Sequence, residues 1–125
     1  MNEPQASPSG RVLIVEDTDI VSRLLSILLE RRGYDAVAVA SGQAALDVAD
    51  DGFEIVLVDL GLPDMNGIEV CRRLRSREST AGLRIILLSG GDDPRDRRDG
   101  FAAGADDFLP KPFTEPELMA RLVRA

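Results

Sequence analysis

Three acidic residues, a hydroxyl and one lysine carry the chemistry legible in this chain. Glu16 and Asp17 follow the run Val12-Leu13-Ile14-Val15, Asp59 follows Ile55-Val56-Leu57-Val58, Ser89 follows Ile85-Ile86-Leu87-Leu88, and Lys111 stands between Pro110 and Pro112. Unbroken apolar runs rich in β-branched residues suit strands buried on both faces of a parallel sheet, and such a run should not end in a carboxylate without a reason. Carboxylates gathered on one rim repel one another, and a hard divalent cation is the least costly remedy. Magnesium is the natural choice. Its octahedral demand can be met by Asp17, Asp59, the carbonyl of Gly61 and waters, with Glu16 contacting it through water. A phosphoryl oxygen could then take an open position, while the Lys111 ammonium and the Ser89 hydroxyl bind the remaining oxygens. The set is suited to a transient aspartyl phosphate, where in-line positioning and charge neutralisation do most of the work.

The elements that must position these residues follow from the pattern. After Asp59 the chain reads Leu60-Gly61-Leu62-Pro63-Asp64-Met65-Asn66-Gly67; the Leu-Pro cannot continue a strand, and Asn-Gly suits positive φ, so a tight loop leaves the sheet here. Strands are expected over 12–15, 35–40, 55–58, 83–88 and 107–109. Each is followed by a helix. The first helix, capped by Thr18 or Asp19 and ended by Gly33, carries Ile20, Leu24, Ile27 and Leu28 at helical spacing, joined by Val21 and Leu25. Ser41 caps a short second helix carrying Ala44, Ala45, Leu46, Val48 and Ala49, and Asp51-Gly52 closes it. The third, from about Asn66, turns Ile68, Val70, Cys71 and Leu74 inward and leaves Arg72, Arg73, Arg75 and Arg77 for solvent and the C-terminal dipole. Asp93-Pro94 opens the fourth, which contains Gly100 and should be the least stable. Thr114 with Glu117 makes a capping box for the fifth, whose apolar stripe is Leu118, Leu122 and Val123.

Five strand-helix pairs predict a flavodoxin-like, doubly wound (βα)5 fold with a parallel five-stranded sheet. The longest apolar runs should be central and the paler strands two and five should be edges, giving the order 2-1-3-4-5. Asp17 and Asp59 then flank the switch point between strands one and three. Residues 1–10 lack the apolar content to pack and are expected as a flexible N-terminal tail, with one domain over 11–125.

Composition narrows the function. The 125 residues are enough for one core, and 44% apolar content marks a globular domain. A net charge of −7 argues against direct nucleic acid binding by this domain and favours cations. There is no histidine, which excludes imidazole-based zinc or iron sites and an internal phosphohistidine. No membrane span or signal peptide is evident, so a cytoplasmic location is expected. Cys71, the single cysteine, reads as a small core residue. Lys111 is the single lysine among 15 basic residues.

The set Glu16-Asp17, Asp59 with Leu62-Pro63 and Asn66-Gly67 behind it, Ser89, and Lys111-Pro112 resembles, in order and spacing, the receiver domain of two-component response regulators. The resemblance covers Arg11 to Ala125. It implies a phosphorylation-switched signalling module, not an enzyme beyond self-phosphorylation and autodephosphorylation, in which Asp59 accepts a phosphoryl group from the histidine of a partner kinase or phosphotransfer protein. Glu16, Asp17, Asp59 and the Gly61 carbonyl would hold Mg2+, Lys111 would bind the phosphate, and Ser89 would move onto it with Phe108 as the second switch residue. A cis peptide before Pro112 is also implied. The switched surface would be the fourth helix, fifth strand and fifth helix, acting on an output domain or partner, with homodimer pairing through the same surface. Departures from the family's common pattern are Glu16 for aspartate, Ser89 for threonine, Phe108 for tyrosine, and Gly90-Gly91, which loosens the loop after strand four.

Two other classes compete. A haloacid dehalogenase-type enzyme would place a second aspartate two residues after the nucleophile, where this chain has Gly61. A flavin-binding flavodoxin would need a hydroxyl- and glycine-rich loop after strand one, where Glu16-Asp17 would repel anions. A degenerate receiver serving only as a docking platform is opposed by the intact rim set. The last helix is still apolar-periodic at Val123, which suits a receiver cut from a longer protein with an output domain C-terminal to it.

Overall fold

A computed structural model describes residues 10–91 and 93–123. The tail read over 1–10 lies outside the described residues except for Gly10, whose carbonyl accepts the Asp35 amide and so belongs to the fold. Five strands, β1 (Arg11–Val15), β2 (Asp35–Val39), β3 (Ile55–Asp59), β4 (Arg84–Ser89) and β5 (Asp107–Pro110), form one parallel sheet in the order β2-β1-β3-β4-β5. This is the order expected from the apolar runs. The helices α1 (Asp19–Arg31), α2 (Gly42–Val48), α3 (Gly67–Arg75), α4 (Pro94–Ala103) and α5 (Glu115–Leu122) alternate with the strands.

Period-two alternation along each strand splits the core into two layers. Leu13, Val15, Val56, Val58, Ile85, Leu87 and Phe108 face α2 and α3, packing on Leu46, Ile68, Cys71 and Leu74. Val12, Ile14, Ile55, Leu57, Ile86, Leu88 and Leu109 face the other way, onto Leu25 and Leu29 of α1 and Leu118 and Leu122 of α5. All five residues of β3 are buried, as a central parallel strand requires. Every strand therefore delivers its C-terminal residue to one rim of the sheet, with the switch point between β1 and β3.

Local chemistry sets the helix ends. The Ser41 hydroxyl accepts the Ala44 amide, the Asn66 and Asp93 side chains accept from Ile68 and Arg95, and Thr114 with Glu117 completes a capping box. Gly33, at φ 91°, ends α1 as expected. Thr18 stands at the start of α1 but its side chain makes no cap; its amide donates instead to Glu16 Oε2 at 3.1 Å.

Several expected faces are corrected. Ile20, Leu24 and Ile27 lie outward, 79, 46 and 54% exposed, while Leu25, Leu28 and Leu29 are the residues of α1 that are buried. The apolar stripe of α1 is wider than the sheet can cover. Val48 is also outward, and Val123 falls past the end of α5 and is 66% exposed. Arg75 and Arg77 do not serve solvent. Arg75 donates to the carbonyls of Gly104, Ala81 and Leu83 and pairs with Asp106 at 2.7 Å, tying the end of α3 to the segment before β5. Arg77 donates to Leu46 and Ala49 at the C-terminal end of α2, so the cation complements that helix rather than its own. Arg72 and Arg73 remain outside and pair with Glu69.

Gly100 has a packing reason. A Cβ there would meet Phe108 Cζ at 2.6 Å and Leu87 Cδ1 at 2.7 Å, both on buried side chains. Gly100→Ala is expected to lower stability by about 1 kcal/mol in a denaturant melt, because overpacking costs about 1–3 kcal/mol and outweighs the ~1 kcal/mol gain in helix propensity. A more stable variant would contradict this packing.

Cys71 is fully buried, with its thiol against the Ala103 carbonyl at 3.6 Å, and burial pushes its pKa up to about 11. At pH 8 roughly a thousandth of it is then thiolate, so iodoacetamide is expected to label the protein only after denaturant is added. Labelling of the native protein at the rate of a free thiol would overturn the assignment of Cys71 to the core.

Candidate functional site

The ladder hydrogen bonds of the sheet run on past the strand ends and fix the residues of the rim. The Glu16 amide donates to Val39 O at 3.1 Å, the Leu60 amide to Leu88 O at 3.0 Å, and the Lys111 amide to Ser89 O at 2.7 Å. Carboxylate oxygens of Glu16, Asp17 and Asp59 consequently all lie within 4.8 Å of one another. Glu16 and Asp59 are buried and Asp17 is exposed at the mouth.

Lys111 reaches into this group. Its Nζ stands 2.9 Å from Asp59 Oδ1 and 3.1 Å from Glu16 Oε1. Burial alone would push the ammonium down, but the hydrogen bonds and charges of Asp59 and Glu16 outweigh it and its pKa is raised. The attraction is therefore present in full below the ordinary lysine value of about 10.4 and is lost only as pH rises through the raised one. The peptide before Pro112 is cis, as expected.

One ammonium against three carboxylates leaves the cluster with two uncompensated negative charges. All of its donors are hard oxygens. A dication that prefers oxygen ligands fits this set, and a soft metal does not.

Ser89 is buried beside this group, yet its hydroxyl donates to the Gly91 carbonyl at 2.9 Å, within its own loop. Phe108 is 2% exposed and lies on the β4–β5 side, where Phe101 packs on it with ring centroids 5.3 Å apart and the Arg97 guanidinium lies 5.4 Å from its ring centre. Of the two residues expected to switch, Phe108 is thus turned inward and Ser89 is held by its own loop.

The loop after β3 holds two features that the sequence does not announce. Gly67 is the first residue of α3, preceded by Asn66 at φ −73°, so the Asn-Gly pair is not there for positive φ. A Cβ on Gly67 would lie 2.3 Å from the carbonyl oxygen of Asp59, and the glycine is needed for that approach. The Gly67 amide donates to Leu60 O, and Gly61 bridges Asn66, which folds the loop back on the end of β3. Asp64, at the far side of the loop, accepts the amides of Gly42 and Gln43 at the start of α2. An acidic residue after a proline gives no sign of a partner more than twenty residues earlier.

A family model, response regulator receiver domain, matches residues 12–123. The chain is 42% identical over 112 residues to the sensory transduction protein RegX3 of Mycobacterium tuberculosis, covering 89% of this chain and 48% of the relative. It is 38% identical over 113 residues to the transcriptional regulatory protein CpxR of Escherichia coli, covering 90% and 47%. The chain spans about half the length of these curated relatives. Among solved structures, the receiver domain of the sensor histidine kinase PA1611 from Pseudomonas aeruginosa, with a magnesium ion coordinated in its active site cleft, superposes with a TM-score of 0.81 at 29% identity, covering 90% of this chain and 93% of that one.

Proposed function

This chain belongs to the response regulator receiver domain family, and on that premise we propose that Asp59 is the residue that takes up the phosphoryl group by which it switches. The observation that carries this reading is the convergence of Glu16, Asp17 and Asp59 within 4.8 Å, with Lys111 Nζ 2.9 Å from Asp59. Mg2+, when bound, supplies charge neutralisation for the incoming phosphoryl oxygens; Glu16, Asp17, Asp59 and the carbonyl of Gly61 would hold it.

The remaining work belongs to the chain. An Asp59 carboxylate oxygen attacks the phosphorus of a phosphohistidine, the O–P bond forms as the N–P bond breaks, and the imidazole nitrogen leaves with the electron pair and takes a proton from solvent. Asp59 needs no base, since it reacts as a carboxylate. Lys111 neutralises charge that gathers on the transferred group. The Ser89 hydroxyl then exchanges Gly91 for a phosphoryl oxygen, and the surface of α4, β5 and α5 adjusts around Phe108. That surface is the proposed output, toward a further domain, a partner or a second copy of the chain.

The donor is proposed to be a histidine kinase or phosphotransfer protein. The exposed Leu24 and its neighbour Val21 line a groove of about 380 Å³ with Gly90, Lys111, Pro112 and Phe113. Ile20 and Ile27 extend this apolar face along α1. A helix carrying the phosphohistidine would find apolar surface directly beside the pocket. No described helix is long and apolar enough to cross a membrane.

Incubation with acetyl phosphate and Mg2+ tests the reading. Intact-mass spectrometry should show one added phosphoryl group, lost on treatment with hydroxylamine as an acyl phosphate must be, and absent when EDTA replaces Mg2+. A hydroxylamine-stable adduct would mean a serine or threonine ester and would refute the proposal.

A further inference from the structure

We propose that Asp64 is a positioning residue, clamping the loop that carries the Gly61 carbonyl so that this carbonyl is in place for Mg2+. The inference rests on the reading of the rim as a Mg2+ site and extends it to a residue that touches neither metal nor phosphate.

The loop over 60–66 has little burial to hold it. Gly61, Pro63, Asp64 and Asn66 are exposed, and Leu62 is its one buried side chain. Its two ends are fixed, by the Leu60 amide on Leu88 O and the Gly67 amide on Leu60 O. Its outer part is fixed by Asp64. One carboxylate oxygen accepts the Gly42 amide and the other the Gln43 amide, both at 2.8 Å, so the loop is pinned to the first turn of α2 from 21 and 22 residues away. These two amides have no partner within the helix, and an ionised acceptor gives them their strongest bonds. The same two bonds hold the Asp64 carboxyl below the usual carboxylate range.

The neighbouring residues are shaped for this closure. A Cβ on Gly42 would meet Met65 Cγ at 2.6 Å and Sδ at 2.9 Å, so the loop can seat itself on α2 because position 42 carries no side chain. Gly61 lies between these anchors, close enough to Asp59 that a Cβ on it would stand 3.8 Å from Oδ2. A clamp that fixes Asp64 and Met65 on one side, with Leu60 and Gly67 on the other, leaves the Gly61 peptide little freedom to turn.

The competing account is that Asp64 only caps α2. Ser41 separates the two, since its hydroxyl caps the same helix at the Ala44 amide without touching the loop. Mg2+ would be titrated calorimetrically into the full chain and into Asp64→Ala, Asp64→Asn and Ser41→Ala, with a thermal melt of each. Outer-shell support typically changes metal affinity at least tenfold, so Asp64→Ala is expected to bind Mg2+ about tenfold more weakly, Asp64→Asn to recover part of that, and Ser41→Ala to stay within about twofold of the parent although it melts earlier. The rate of phosphorylation by acetyl phosphate at saturating Mg2+ should be retained in Asp64→Ala, the defect lying in the Mg2+ dependence alone. Unchanged affinity in Asp64→Ala, or an equal loss in Ser41→Ala, would overturn the proposal while leaving the Mg2+ site standing. Absence of Mg2+ binding by the parent chain would overturn both.

Discussion

Asp59→Asn is expected to abolish phosphoryl uptake from acetyl phosphate and Mg2+, to below about one per cent of the parent rate, because an amide oxygen is not a nucleophile that can replace a carboxylate. The fold should survive the change. Asparagine keeps the shape of the side chain at the end of β3, and Lys111 retains Glu16 at 3.1 Å as a charged partner. The melt of the variant, followed by circular dichroism, is the control that makes the loss of uptake interpretable. A folded Asp59→Asn protein phosphorylated at the parent rate would place the acceptor elsewhere.

The second large effect is structural. Gly67→Ala is expected to destabilise the chain by about 3 kcal/mol in a denaturant melt, at the upper end of what overpacking a fitted position costs. The added Cβ would stand 2.3 Å from Asp59 O and 3.0 Å from both Asp59 C and Leu60 Cα. These are backbone atoms at the end of β3, so they cannot swing aside as a flexible side chain would. Relief requires either α3 to back away or the end of β3 to move, and the second displaces Asp59 from Lys111. Phosphorylation by acetyl phosphate should therefore fall as well, even where the variant is still folded. A variant as stable as the parent would show that the loop and α3 are not packed as described.

How much of this could be read from the chain differs by the kind of interaction. Strand order was legible because β1, β3 and β4, buried on both faces, have to be written as unbroken apolar runs, whereas the edge strand β2 tolerates Ala36 and Ala38. The caps Ser41, Asp93 and Thr114 were legible because each bonds to an amide within three residues. Residues at the ends of apolar runs had to share a rim once the sheet was parallel, so the meeting of Glu16, Asp17, Asp59 and Lys111 followed from topology.

What failed to show depends on distant partners. Periodicity gave α1 an apolar side but not its width, and Ile20, Leu24 and Ile27 fall beyond the edge of the sheet's cover. Arg75 and Arg77 look like solvent residues at a helix end until the carbonyls of Leu83, Gly104, Leu46 and Ala49 are brought to them. Asp64 meets α2 only in the folded chain. Gly67 reads as a turn glycine in sequence, and only the approach of Asp59 O reveals that space, not φ, is what the position demands.

The most direct test is to find where the phosphoryl group goes. After acetyl phosphate and Mg2+, reduction of the acyl phosphate with borohydride and peptide mapping by mass spectrometry should place the whole of the modification at Asp59, with none when Mg2+ is withheld. Modification at Asp17, Asp64 or a hydroxyl residue, or an equal yield at Asp59 without the metal, would contradict the account of this rim as a metal-dependent aspartyl phosphate site.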